Sequence, residues 1–356
     1  MLFETHHLYY WPNFLPVLQE LKKRQNYIIH VSMPRRLSLI QQHILEDLCN
    51  RINISFITSK SEQNRINKIL KEAYDVIIVG NVGQLHKIIL PEAIAVMVYH
   101  GIGLKQSYYT DIDDRINIRA VESLDRINEL KGHGHKNLVL TGFTKLDRLH
   151  NISNESTKII EQDLELNSNK KTVLYAPSFY PTSIEKISPF LSDLSQDHNI
   201  IIKLHAFSWE QKKYHYQNLL CAELSRDNKD IYLLPNEAFD IIPYYLIADI
   251  LITDISSTMF EYLPLNRPII QAECYSLKLK HKILRRRFWK KMDIKRQENI
   301  DFTYKIFDPE NLMSRVYYAL DNIDEMSENR KNACQQYLYN NDGSASLRLV
   351  DAIEEY

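Results

Sequence analysis

Glycine is scarce in this chain: 8 residues in 356. The place of each is therefore informative. Cysteine is scarcer still. Cys49, Cys221, Cys274 and Cys334 form no C-x-x-C pair, which excludes a zinc site and a disulfide framework and fits a reducing cytoplasm. Charge of one sign is lacking too. Lys and Arg total 44 against 45 Asp and Glu, so whole-molecule attraction to nucleic acid is excluded. No apolar run approaches the ~20 residues of a membrane helix. The opening residues 1–7 lack a basic stretch followed by an apolar one, so no signal peptide is expected. What remains is an ordinary globular composition, 44% hydrophobic and 25% charged, at a length that implies two domains.

Val- and Ile-rich runs recur along the chain, separated by helical spacing. Residues 27–31, 54–57, 75–80, 93–99 and 137–140 read as strands of a first unit. Residues 172–176, 200–204, 231–234, 250–252 and 268–271 read as strands of a second. Continuous apolar strands alternating with helices predict parallel sheets covered on both faces. The expected division is an N-terminal Rossmann-like domain over 1–150, a polar linker over 151–170 and a second Rossmann-like domain over 171–325. Helices follow over 326–356. A cleft is expected at the carboxyl ends of the sheets.

The stretch 248–261 anchors the functional reading. The strand Ile250–Ile252 stops at Thr253-Asp254, and Ser256-Ser257-Thr258 opens a helix. Free N–H groups and the positive end of a helix dipole there suit a phosphate. Simple helix capping by Ser or Thr accounts for the same residues. His100 follows a buried strand and precedes Gly101, and His205 stands at the corresponding place in the second unit, beside Lys203. A strand-end histidine titrates near neutrality and suits proton transfer from a hydroxyl. A histidine satisfied by neighbouring backbone is the plainer alternative for both. The loops Tyr175-Ala176-Pro177-Ser178 and Gly142-Phe143-Thr144-Lys145-Leu146-Asp147 also follow strands. One strongly basic segment, Lys278 to Lys291, interleaves cations with Leu279, Ile283, Leu284, Phe288 and Trp289. It fits an anionic lipid surface or a polyanion, or else a helix docked by its apolar face. RNA fits it less well, because no aromatic stacking platform accompanies it.

In order, His100-Gly101-x-x-x-Lys105, Gly142-x-x-x-x-Asp147, Leu174-Tyr175-Ala176-Pro177-Ser178, Lys203-x-His205 and Ile252-Thr253-Asp254-x-Ser256-Ser257 with Phe260-Glu261, and the tail Asp342-Gly343-Ser344-Ala345-Ser346-x-Arg348, resemble the CDP-glycerol glycerophosphotransferase family. These are teichoic-acid primases and polymerases and their relatives in capsule synthesis. The resemblance runs from about residue 98 to the end. It implies an α/β GT-B fold, with the nucleotide mainly on the C-terminal lobe and a last helix crossing back to the first. It implies a cytoplasmic transferase, and the basic segment 278–291 suggests a peripheral place on the inner membrane face. The enzyme would move glycerol phosphate from CDP-glycerol to a lipid-linked or capsule acceptor and release CMP, with neither metal nor cofactor. His100 would be the general base and His205 would contact the donor phosphates. Gly101, Lys105, Ser178, Lys203, Thr253, Asp254, Ser256, Ser257 and Glu261 would bind the donor, with Lys145 and Arg348 as further phosphate or acceptor contacts. Ala206 and Thr144-Lys145 stand where the family usually has Pro and Pro-Arg, and Ile255 where it often has an aromatic. These departures leave a CDP-ribitol donor open, and a GT-B glycosyltransferase using a sugar nucleotide is the other alternative.

Overall fold

A computed structural model describes residues 1–35, 38–104, 106–110, 112–290 and 292–356. The apolar runs become parallel strands because both of their faces are covered. All residues of Val76–Val79, His198–Ile202 and Ile250–Thr253 are buried. The chain divides into two compact units. The first comprises Met1–Gly101, Ser107–His150 and Gln336–Tyr356, and the second Ile102–Gln106 and Asn151–Gln335.

The first unit holds β1 (Leu2–Glu4), β2 (His30–Ser32), β3 (Ser55–Ile57), β4 (Val76–Val79), β5 (Ile94–Val98), β6 (Ile118–Val121) and β7 (Leu138–Leu140). They lie in the order β3-β2-β1-β4-β5-β6-β7, all parallel. The order reverses between β1 and β4, which puts a crevice after the carboxyl ends of those strands. The second unit holds β8 (Lys171–Tyr175), β9 (His198–Ile202), β10 (Ile231–Leu233), β11 (Ile250–Thr253), β12 (Ile269–Ala272) and β13 (Tyr304–Ile306). Their order is β10-β9-β8-β11-β12-β13, again parallel, with the reversal between β8 and β11. Ile184, Ile187, Leu191 and Leu194 recur at helical spacing and are completely buried against Val173, Ile200 and Ile202. Each such side chain contributes about 1.5–3 kcal/mol on burial.

Three strands escape the sequence reading: β1, β6 and β13. Each is short, and Glu4, Arg119 or Lys305 interrupts its apolar pattern. Glu4 is nonetheless buried. It pairs with Arg65 at 2.9 Å and accepts from Ser32 Oγ, so the charge enters the unit already neutralised. The stretch expected as a linker folds as the helix Asn154–Asp163 and belongs to the second unit. Asn167 N–H donates to Asn199 Oδ1 at 3.0 Å, and Tyr232 Oη to the Glu165 carbonyl at 3.1 Å. The return to the first unit comes at Gln336, ten residues after the expected boundary.

That return is held by a clasp at β7. Asp147 accepts from Ala345 N–H at 3.0 Å, Ser346 N–H at 2.7 Å and Ser346 Oγ, and so caps the helix Ala345–Glu354. Arg348 donates through Nε to the Thr141 carbonyl at 2.7 Å and through Nη1 to Asp342 at 2.9 Å. Gly142 has φ +89, and a Cβ there would fall 2.9 Å from the Tyr339 carbonyl, so no other residue suits the site. The motifs at 142–147 and 342–348 are thus two halves of one fastening.

Asp147→Ala removes the acceptor for three donors in a buried place. Urea denaturation is expected to show a loss of about 2–3 kcal/mol, with faster amide exchange over 345–354. Unchanged protection of that helix would sink the clasp.

Candidate active site

Thr253 ends β11 and Tyr175 ends β8, so the stretch 253–257 and the loop from Ala176 start on either side of the reversal point. The two are tied together by Asp254. Its fully buried carboxylate accepts from Ser178 N–H at 2.7 Å and Ser183 N–H at 2.9 Å. Ser183 Oγ adds a third bond at 3.1 Å. Thr253 Oγ1 donates to the Ala176 carbonyl at 2.8 Å and meets Thr258 Oγ1 at 2.7 Å. Ser178 Oγ donates to the Pro181 carbonyl. Glu261 is buried as well, accepting from Ser257 Oγ at 2.8 Å and Tyr245 Oη at 3.0 Å.

These positions differ from the sequence expectation in one respect. Thr253, Asp254, Ser178 and Glu261 direct their polar atoms at protein, because burial leaves them no other source of partners. These bonds build the loop. The helix expected after Ser257 is the single turn Thr258–Glu261, with no side-chain cap from Ser257. Its dipole is correspondingly small. Ser256 and Ser257 are the half-buried pair of this stretch. Ser256 Oγ accepts from Thr258 N–H at 3.4 Å, which leaves its own proton to donate.

His205 follows β9, the neighbour of β8. Its Nδ1 accepts from Phe207 N–H at 3.1 Å and caps the helix Ala206–Glu210. An amide N–H can only donate, so neutral His205 carries its proton on Nε2 and is a donor. Ala206 is the first helical residue, where Pro would add rigidity without changing this bond. Phe179 lies 4.7 Å from the His205 ring and Phe207 5.0 Å, so the Ser178 loop and the histidine pack as one group. Lys203 Nζ, beside it, donates to the Leu204 carbonyl at 3.1 Å.

In the first unit His100 follows β5, two residues beyond its last. Its Nδ1 stands 3.4 Å from the Gly80 carbonyl, which can only accept. In that contact Nδ1 is the donor. The two strand-end histidines thus differ in what Nδ1 faces, an acceptor carbonyl for His100 and a donor N–H for His205. Tyr10 stacks on His100 with centroids 4.5 Å apart, and Tyr9 meets its edge at 5.4 Å. Neither tyrosine stood out in the sequence, where Tyr9-Tyr10-Trp11-Pro12 is simply a helix leader.

Lys145 stands in the 3-10 helix Thr144–His150 after β7, the edge strand two strands from β5, and Arg348 belongs to the clasp there. Arg348 donates there to two carbonyls and Asp342, and so acts as a fastener. Gly101 is buried at the end of the first unit's longest segment. Lys105 lies outside the described residues. Among the described residues no group of three or more His, Cys, Asp or Glu stands together as a metal site. Nor is any helix among them long and apolar enough to cross a membrane. The basic segment folds as the short helices Leu279–Ile283 and Arg285–Trp289, and Lys291 lies outside the described residues. Phe288 is buried, but Leu279 and Ile283 are each 72% exposed, so the segment is docked by one ring and not by its whole apolar face.

The family model described as CDP-Glycerol:Poly(glycerophosphate) glycerophosphotransferase matches residues 119–355, more than half of the chain. The teichoic acid poly(glycerol phosphate) polymerase of Bacillus subtilis (strain 168) is 29% identical over 143 residues, 38% of this chain and 18% of that protein. The teichoic acid poly(ribitol-phosphate) polymerase of Bacillus spizizenii (strain ATCC 23059 / NRRL B-14472 / W23) is 24% identical over 234 residues, 61% of this chain and 33% of that protein. The chain thus matches a third or less of the length of these curated relatives. Among solved structures, the wall teichoic acid polymerase TagF matches with a TM-score of 0.71 at 16% identity, covering 99% of this chain and 88% of that one. That likeness is one of fold: two Rossmann-like units of the GT-B kind.

Burial raises the Asp254 carboxyl from 3.8 to about 6. The folded state then holds the proton more tightly than the unfolded chain. The stability this group contributes is complete below pH ~4 and is lost as pH rises through about 6, a change of about 3 kcal/mol. Asp254→Asn is expected to remove that slope between pH 4 and 6 and to cost about 1–3 kcal/mol through mismatched donors. Equal slopes for both proteins in urea titrations would refute the assignment.

Proposed function

For a chain that belongs to the CDP-glycerol:poly(glycerophosphate) glycerophosphotransferase family, we propose transfer of glycerol phosphate from CDP-glycerol to a hydroxyl of a teichoic-acid- or capsule-type acceptor, with release of CMP. The observation that carries this is the contrast between the two strand-end histidines, Nδ1 of one facing a carbonyl and Nδ1 of the other accepting an N–H. His100 Nε2 takes the proton of the acceptor hydroxyl. The freed oxygen attacks the phosphorus that bears glycerol, and the bond from that phosphorus to the bridging oxygen breaks to leave CMP. His205 Nε2–H and the Ser256 hydroxyl donate to the phosphate oxygens, where charge accumulates. Lys203 adds positive charge beside them. The protein's part is positioning and electrostatics, as phosphoryl transfer requires.

CDP-ribitol is the second reading, favoured by the match to a poly(ribitol-phosphate) polymerase over 61% of this chain. The acceptor is taken to be lipid-linked or a capsule oligomer, and the protein peripheral on the inner face of the cytoplasmic membrane. Support comes from the basic segment, where exposed Leu279 and Ile283 alternate with Lys278, Lys280 and Lys282. Apolar side chains among cations suit the boundary of an anionic bilayer.

The donor is tested by CMP or nucleoside diphosphate release from CDP-glycerol, CDP-ribitol and a set of UDP- and CMP-sugars. CDP-glycerol should give the highest turnover, and release from a sugar nucleotide alone would overturn the reading. His100→Ala should lower kcat by about 10²–10⁴ with the fold intact. His205→Ala should be similarly damaging, and an effect confined to KM would make it a binding residue. Joint replacement of Lys280, Lys282 and Arg286 by Gln should weaken sedimentation with phosphatidylglycerol vesicles by about fivefold per charge. Unchanged sedimentation would remove this segment from membrane docking.

A further inference from the structure

Phe179 has its ring on one set of partners and its carbonyl on another. The ring lies 4.7 Å from the His205 ring and 5.0 Å from the Phe207 ring. The carbonyl accepts from Gln217 Nε2 at 3.0 Å. Gln217 is fully buried, as the second residue of the helix Tyr216–Asp227. The oxygen of its amide, Oε1, accepts from Ser208 Oγ at 2.6 Å. Ser208 belongs to the helix Ala206–Glu210, which His205 caps, and its N–H donates to the His205 carbonyl at 2.8 Å. One buried amide thus bonds both the loop that Asp254 shapes and the helix that starts at His205. A carbonyl can only accept, so the amide has one orientation, nitrogen to Phe179 and oxygen to Ser208. A helix of five residues is too short to hold its own place, and its position depends on tertiary bonds of this kind.

We infer that Gln217 is a positioning residue: it sets the loop from Ser178 to Ser183 against the helix Ala206–Glu210 and so fixes where the His205 imidazole stands. The inference rests on the reading of His205 as a contact to the donor phosphates. Gln217 acts through Phe179 and Ser208, and the role needs a side chain that donates at one end and accepts at the other. Glutamate keeps the acceptor for Ser208 but opposes a carboxylate oxygen to the Phe179 carbonyl. Methionine fills similar space with no strong donor or acceptor. Either one deprives a carbonyl and its loop of this donor. A phosphate contact displaced by an ångström loses about 10² in rate.

Kinetics and a direct view of the His205 ring test this together. With CDP-glycerol and a short poly(glycerol phosphate) oligomer as probes, Gln217→Glu and Gln217→Met should each lower kcat about tenfold or more, with KM for CDP-glycerol changed less than about threefold. Ser208→Ala removes one of the two bonds and should lower kcat about threefold. In ¹H–¹³C spectra of the histidine rings, with His205 assigned through His205→Gln, the Cε1–H signal of His205 senses the Phe179 ring beside it. That signal should move in all three variants. A merely structural role would lower Tm and leave both kcat and the signal at their parent values. An unmoved His205 signal in a folded Gln217 variant overturns the inference, as does a kcat within about twofold of the parent. Should neither Gln217 variant fold, Ser208→Ala decides by the same signal. If His205→Gln keeps full activity, the reading of His205 as a phosphate contact fails and the catalytic part of the inference with it, while a moved signal still shows that Gln217 holds the ring.

Discussion

A carboxylate with no route to water must take its hydrogen bonds from the protein, and Asp254 takes its own from the backbone of another loop. Ser178 and Ser183 surrender their N–H groups to it, and the loop between them acquires its shape from those bonds. Phe179, inside that loop, packs on His205, so the histidine's surroundings depend on the same carboxylate. Thr253 strengthens the junction through the Ala176 carbonyl. The second unit's site is thus assembled around one acidic group whose desolvation is offset by amide and hydroxyl donors.

The first unit repeats the device with Asp147. There the donors are Ala345 and Ser346, and the element fastened is the terminal helix. Burial pushes this carboxyl above its usual range as well, even with three donors directed at it. Both acids stand in loops that follow β-strands, where the chain leaves the sheet and its backbone groups need new partners. An acidic residue in such a loop invites a functional reading. Here each acts first as an acceptor for the chain's own amides.

The division of labour between the histidines has the same origin. Each ring meets a backbone group near its strand end, a carbonyl for His100 and an N–H for His205. Aromatic rings complete each setting, Tyr9 and Tyr10 on one histidine and Phe179 and Phe207 on the other.

Apolar periodicity alone revealed ten of the strands, since a buried parallel strand must be apolar on both faces whatever surrounds it. It missed β1, β6 and β13, where a charged residue breaks the pattern and only a partner elsewhere in the chain makes burial tolerable; Arg65 does so for Glu4. The ordered motifs were enough to name the family and to single out His100, His205 and the stretch at 253–257. Whether a motif residue faces a ligand or the protein was not legible, because that depends on partners far along the chain. Arg348 reads like a phosphate contact until Thr141 and Asn340 prove to be its acceptors. Tyr10 reads like a helix leader until it is found on His100, ninety residues away. The stretch at 253–257 keeps its place beside the reversal of strand order. Its hydroxyls divide between Ser256, which accepts from Thr258 N–H, and Thr253, which closes a loop. Local sequence dictates which residues form strands and which strand ends carry chemistry, because those follow from side-chain period and type. The direction of each polar side chain was decided only by tertiary structure, because a buried donor or acceptor goes wherever folding has placed its partner.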